Sequence, residues 1–110
     1  MVSVVLLGYR DTHNMPKYTI ETTKNLSPSE QEAIQLIVSE YDRAITMYGP
    51  FASAHEGYSV LLEEVDELWD EVKAKQNKRN PDNLKKESVQ VAAMGMRFLV
   101  DVILKNKGFE

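Results

Sequence analysis

Residues 61–72 read LLEEVDELWDEV, six apolar and six acidic side chains with no base among them. Leu61, Leu62, Val65, Leu68, Trp69 and Val72 recur at helical spacing and form an apolar stripe. The acids Glu63, Glu64, Asp66, Glu67, Asp70 and Glu71 fill the other positions. A charge run on a helix is ordinarily a solvated face. The pairing here argues otherwise. Glu63 and Glu67 lie one turn apart, as do Asp66 and Asp70, and Glu67 and Glu71. Each such like pair costs roughly 0.2–0.5 kcal/mol in an isolated helix. Only Glu71 has a base, Lys75, four residues on. Glu64 and Glu67 sit beside the apolar stripe rather than opposite it, so their carboxylates can turn toward a cleft between helices.

Two further helices flank this one. Ser27, Pro28 and Glu30 are the cap, first-turn proline and dipole-complementing acid of a helix over about Pro28–Tyr48, closed by Gly49-Pro50. Its stripe is Ala33, Ile34, Ile37, Val38, Tyr41, Ala44, Ile45 and Tyr48. The acidic helix is expected from near Ser53 to about Gln76, with Trp69 in its core stripe. Residues 76–83, QNKRNPDN, make the next break, and Asn80 caps a third helix running from about Pro81 to Lys105. That helix carries two apolar stripes. One is Leu84, Ser88, Val91, Ala92, Gly95, Phe98, Leu99 and Val102; the other is Val89, Ala93, Met96, Val100 and Ile103. A helix apolar on two sides is buried on two sides, so it is expected to be central, with the second stripe meeting another subunit. Upstream, residues 2–7 and 17–23 read as extended segments about the turn-like DTHNMP, an arm or hairpin. The terminal NKGFE, with Gly108 as a stop, reads as a frayed end. The expected fold is all-α: one domain over residues 1–110, with residues 1–26 as arm and 27–105 as a three-helix core completed by oligomerisation.

The 110 residues suffice for one modest core. A net charge of −4 gives no reason to expect nucleic acid or an anionic membrane as partner. The absence of cysteine removes disulfides and thiolate chemistry and fits a cytoplasmic protein. The apolar start, MVSVVLLGYR, lacks the basic region and cleavage site of a signal peptide. There is no Gly-rich phosphate loop and no nucleophile–histidine set.

Glu87 and Gln90 form a second i, i+3 pair near the start of the third helix. Two antiparallel helices would bring this pair against Glu64 and Glu67. Mg²⁺ takes octahedral oxygen coordination from carboxylates, waters and substrate phosphates, so a metal site and a solvated acidic face are the two readings.

Residues 63–67, EEVDE, match E-E-x-x-E, and residues 87–98, ESVQVAAMGMRF, resemble the following E-x-x-D helix of the MazG-like all-α nucleoside triphosphate pyrophosphohydrolases. That superfamily includes dimeric dUTPases and dCTP pyrophosphatases. The resemblance covers about residues 29–103. It implies a helical bundle whose homodimer, or dimer of dimers, builds the active site. It also implies Mg²⁺, with Mn²⁺ as a substitute, and cleavage of a nucleotide between its α and β phosphates. Glu64, Glu67 and Glu87 match metal ligands, and Glu63 matches a carboxylate that orients the attacking water. The family's last acid is Gln90 here, a neutral oxygen donor, so metal binding is expected to weaken unless another acid such as Asp101 compensates. Many relatives continue into a further basic helix where this chain ends. Lys86 or Arg97, in this chain or lent by a partner, is then expected to serve the phosphates, and His55 the phosphate or base. Tyr48, Phe51 and Tyr58 surround the first interhelical turn, as an apolar slot for a base or as a hydrophobic corner. His13 is assigned nothing. The functional expectation is an Mg²⁺-dependent pyrophosphohydrolase for nucleotide housecleaning; the alternative is a helical protein that binds nucleotide or a partner without turnover.

Overall fold

The computed structural model describes the backbone of residues 2–6 and the whole of residues 18–105. The expected DTHNMP turn, His13 and the NKGFE end lie outside the described residues. Three long helices dominate, as expected: α1 (Pro28–Tyr48), α2 (Ala54–Val72) and α3 (Pro81–Phe98). Strands β1 (Val2–Leu6) and β2 (Tyr18–Thr22) pair antiparallel, with Val4 opposite Ile20. The Tyr18 hydroxyl donates to Asp42 Oδ2 at 2.8 Å, which ties β2 to α1.

The helix starts follow from their caps. Ser27 Oγ accepts from Glu30 N at 3.1 Å while Glu30 Oε1 accepts from Ser27 N at 2.9 Å, a reciprocal box that satisfies two otherwise orphaned donors. Ser53 Oγ accepts from Glu56 N at 3.1 Å, and Asn80 Oδ1 accepts from Asp82 N and Asn83 N. Gly49 ends α1 at φ +71°, a conformation that costs glycine little. At the C-terminus of α2, Arg79 Nε donates to the Val72 carbonyl at 2.9 Å.

α3 is the central helix. It packs on both α1 and α2, which scarcely touch each other. Lys85 reaches Glu32 near the start of α1, and Arg97 reaches Gly49 at its end, so α1 and α3 run parallel. Gly57, early in α2, lies against Phe98 at the end of α3, so these two run antiparallel. A Cβ at Gly57 would come within 2.8 Å of the Phe98 ring, and only glycine allows that approach. The core where the helices converge is small: Ala44, Phe51, Ala93, Met94 and Val102.

Several expectations need correction. α2 ends at Val72, not near Gln76, and Gln76–Lys78 form a separate 3-10 turn. The third helix is not α-helical to Lys105. Residues Leu99–Leu104 form a π-helical turn, in which Lys105 N donates to Val100 O at 2.8 Å. The wider turn directs two consecutive residues, Asp101 and Val102, into the interior and leaves Leu99 exposed. Trp69 is not in the core stripe but 58% exposed, in an outward row with Tyr58, Leu62 and Val65. The apolar arc of α2 is wider than α3 alone can cover, and α1 does not reach its far side. In the second stripe of α3, Ala93 is completely buried within the chain, and Ile103 is partly buried against the core.

Candidate functional site

The divergence of α1 from α2 opens a cleft of about 460 Å³ with α3 as its floor. α2 contributes Glu56, Val60, Glu64 and Glu67 to its wall, and α3 contributes Lys86, Glu87, Gln90, Met94 and Arg97. The opposite wall is Glu40, Arg43, Ala44 and Tyr48 of α1, with Phe51 of the following loop.

Near one end, Glu64, Glu67 and Glu87 each place a carboxylate oxygen so that all three lie within 4.8 Å of one another. Antiparallel packing produces this arrangement, because the i, i+3 pair of α2 then faces the start of α3. Burial pushes the Glu64 carboxyl up to about 7, helped by the charge of Glu67, a hydrogen bond with it, and the charges of Glu87 and Glu63. Burial, the Glu67 charge and a hydrogen bond with Glu67 also push Glu87 up, against the opposing charge of Lys86. Glu87 Oε2 is buried without a hydrogen-bond partner. Carboxylates this close need either a proton or a cation between them, and three hard oxygens suit a small divalent ion. The residues present therefore fit a small divalent cation, the class to which the expected Mg²⁺ belongs. Exposed acidic groups are common without an ion; the buried, partnerless oxygen is what distinguishes this cluster.

The other expected site residues divide clearly. Gln90 lines the same cleft one turn beyond Glu87. Lys86 and Arg97 line the cleft of their own chain. Glu63 is exposed and outside the cleft lining, although its charge is felt at Glu64. His55 is exposed and does not line the cleft. Of the aromatic residues about the first turn, Phe51 is buried in the cleft wall and Tyr48 lines it while exposed; Tyr58 faces outward. Asp101 does not reach the acidic cluster. It is buried, and its Oδ2 accepts from Phe51 N at 3.1 Å. On the solvated side of α2 the charge relief comes from Lys73, whose Nζ lies 3.0 Å from Asp70.

Of the α1 wall, sequence reading found Tyr48 and missed Glu40 and Arg43. Arg43 donates to Glu40 through Nε at 2.8 Å and Nη2 at 2.6 Å. The available signal was the i, i+3 Glu40–Arg43 pair flanking Ala44, a small residue that is almost completely buried. Sequence reading also missed the burial of Arg97, in α3, and of Asp101, one turn on in the π-helical turn.

No protein-family model, curated protein or solved structure matches this chain.

Proposed function

We propose that this protein is an Mg²⁺-dependent nucleoside triphosphate pyrophosphohydrolase that releases the monophosphate and pyrophosphate, a nucleotide-pool housecleaning activity of the MazG-like kind. The observation that carries the reading is the convergence of Glu64, Glu67 and Glu87 around a buried carboxylate oxygen with no partner. Glu64, Glu67 and Glu87 would hold the ion, with Gln90 as a neutral fourth donor. When bound, Mg²⁺ polarises phosphate oxygens and offsets the charge developing on them. Lys86, beside Glu87 in the cleft, supplies a cation for the phosphates. Glu63 is the carboxylate that the motif assigns to the attacking water, and His55 is a contact for the nucleotide; both sit outside the cleft lining, so their roles call for closure or a second subunit. The cleft volume lies in the ordinary range for a small-molecule site. A homodimer or dimer of dimers is part of this reading, supported by the thin core and by the outward apolar row of α2. Among the described residues no helix is long and apolar enough to cross a membrane.

Gln90 favours a second reading, a nucleotide-binding protein without turnover, because it removes one negative charge from the place where the motif has an acid. Product analysis separates the two. Incubation of a nucleoside triphosphate panel with Mg²⁺ or Mn²⁺ is expected to yield monophosphate and pyrophosphate in equal amounts. Diphosphate with inorganic phosphate would mean a different bond is cut, and binding with no product would favour the second reading.

A further inference from the structure

The end of the cleft away from the carboxylates holds a cation in an unusual state. Arg97 is 4% exposed. Its Nη2 donates to the Gly49 carbonyl at 2.8 Å, its Nη1 meets Met94 Sδ at 3.3 Å, and its guanidinium lies 4.0 Å over the Phe51 ring. Its Nε is buried with no partner. Among the described residues no carboxylate forms an ion pair with it. A guanidinium carries five N–H donors, and two are used here. A buried donor of a charged group left without an acceptor is costly. Asp101 Oδ1, one turn on, is also buried without a partner yet forms no ion pair with Arg97, so Arg97, which lines the cleft, is left open to an acceptor on a ligand.

Resting on the nucleotide reading above, we infer that Arg97 reads the nucleobase and selects one with a keto oxygen where cytosine and adenine carry an amine: uracil, thymine or guanine. Position decides base over phosphate. Arg97 stands ten residues along α3 from Glu87, a rise of about 15 Å, shortened because helical side chains lean toward the N-terminus. Phosphates held at the carboxylate end therefore leave the base, not another phosphate, at Arg97. The surroundings agree. Phe51 and Met94 flank the guanidinium, and Ala44 and Val60 line the same cleft, apolar surfaces suited to a flat ring and poor for a second anion's hydration. Chemistry then decides among bases at the 4- or 6-position. There the N–H groups of arginine pair with the O4 of uracil or thymine or the O6 of guanine, whereas the exocyclic amine of cytosine or adenine at that position sets donor against donor. Asp101 is a positioning residue in this scheme: by accepting from Phe51 N it fixes the loop that offers both the Gly49 carbonyl and the stacking ring.

Equilibrium binding tests the inference independently of turnover. The probes are α,β-imido analogues of dUTP, dTTP, dGTP, dATP and dCTP with Mg²⁺, and inorganic tripolyphosphate as the base-free control. Wild type is expected to bind the keto analogues about tenfold or more tightly than the amino ones. Arg97→Lys, which keeps the charge but loses the planar fork, is expected to bring that ratio within about threefold and leave tripolyphosphate binding unchanged. Equal affinity across the panel in wild type, or an undiminished preference in folded Arg97→Lys, overturns the inference. Loss of tripolyphosphate binding in that variant overturns it too, since Arg97 would then hold phosphate. Should Arg97→Lys not fold, the arginine Nε–H signals of wild type decide in NMR spectra. One that moves with keto analogues and stays put with tripolyphosphate supports the inference, and the reverse contradicts it. Base preference without hydrolysis would sink only the catalytic reading; hydrolysis without base preference would sink only this one.

Discussion

Glu64 of α2 and Glu87 of α3 hold carboxylate oxygens within 4.8 Å of each other, and both carboxyls are pushed above the usual range, chiefly by burial. The fold brings together charges that would separate if stability alone set their positions. Antiparallel packing of α2 on α3 is enforced elsewhere, by Gly57 against Phe98 and by the small core, so the carboxylates meet as a consequence.

This strain gives a pH signature. A carboxyl at about 7 in the folded chain, against about 4.5 when unfolded, binds more protons folded than unfolded between those values. Its contribution is therefore fully present below pH 4.5 and is lost as pH rises through 7. The melting temperature of metal-free wild type, relative to Glu64→Gln, is expected to fall between pH 5 and pH 7.5. Mg²⁺ should raise it again at pH 7.5 by binding the folded state, and Glu64→Gln should abolish that gain. A difference that is flat with pH would show that Glu64 titrates normally.

Gln90→Asp places an acid three residues after Glu87, in a position that lines the cleft. Calorimetric Mg²⁺ titration is expected to show affinity higher by about tenfold, the scale on which changes around a metal site act. An unchanged constant would place residue 90 away from the ion. Asp101 does not stand in for that acid, because it is buried elsewhere and its carboxylate does not converge with Glu64, Glu67 and Glu87.

Asp101→Ala should destabilise the chain by about 1–3 kcal/mol in urea unfolding, since the buried Phe51 N–H loses its acceptor. Asp101→Asn, which keeps an oxygen in place, should cost less. Gly57→Ala should cost about 1–3 kcal/mol through overpacking, because the new methyl would sit 2.8 Å from Phe98 Cδ2 and 3.0 Å from Phe51 Cδ2. Equal stabilities across these variants would mean that the α2–α3 crossing is more yielding than its geometry indicates.

Much of this architecture was legible in local chemistry. Ser27 with Glu30, Ser53, and Asn80 before Pro81 marked the helix starts because cap side chains bond backbone donors only a few residues away. The i, i+3 pairing of Glu64 with Glu67, and the antiparallel return of α3, were enough to foresee the carboxylate cluster. The rest depended on non-local packing. Periodicity credits apolar residues alone, so it passed over Arg97 and Asp101, which are buried because a loop carbonyl, an aromatic ring and a backbone N–H meet them. The π turn carries no comparable local signal. Trp69 was misplaced because doublets such as Leu61-Leu62 and Leu68-Trp69 widen the apolar arc, and only the arrangement of α1 and α3 determines which edge stays outside.

The outward row Tyr58, Leu62, Val65 and Trp69 gives the assembly its test. Sedimentation of wild type at micromolar concentration is expected to show a dimer or larger species, and Leu62→Lys should shift it toward monomer by placing a charge in the contact. A monomeric, well-folded wild type would contradict a shared assembly.

The central claim, that Glu64, Glu67 and Glu87 hold a divalent cation that acts on a nucleotide, is tested most directly by anomalous diffraction from crystals grown with Mn²⁺ and a non-hydrolysable nucleotide. The account predicts a Mn²⁺ peak at coordination distance from all three carboxylates and from phosphate oxygens of the nucleotide. Bound nucleotide with no peak among these carboxylates, or a peak held by other residues, would contradict it.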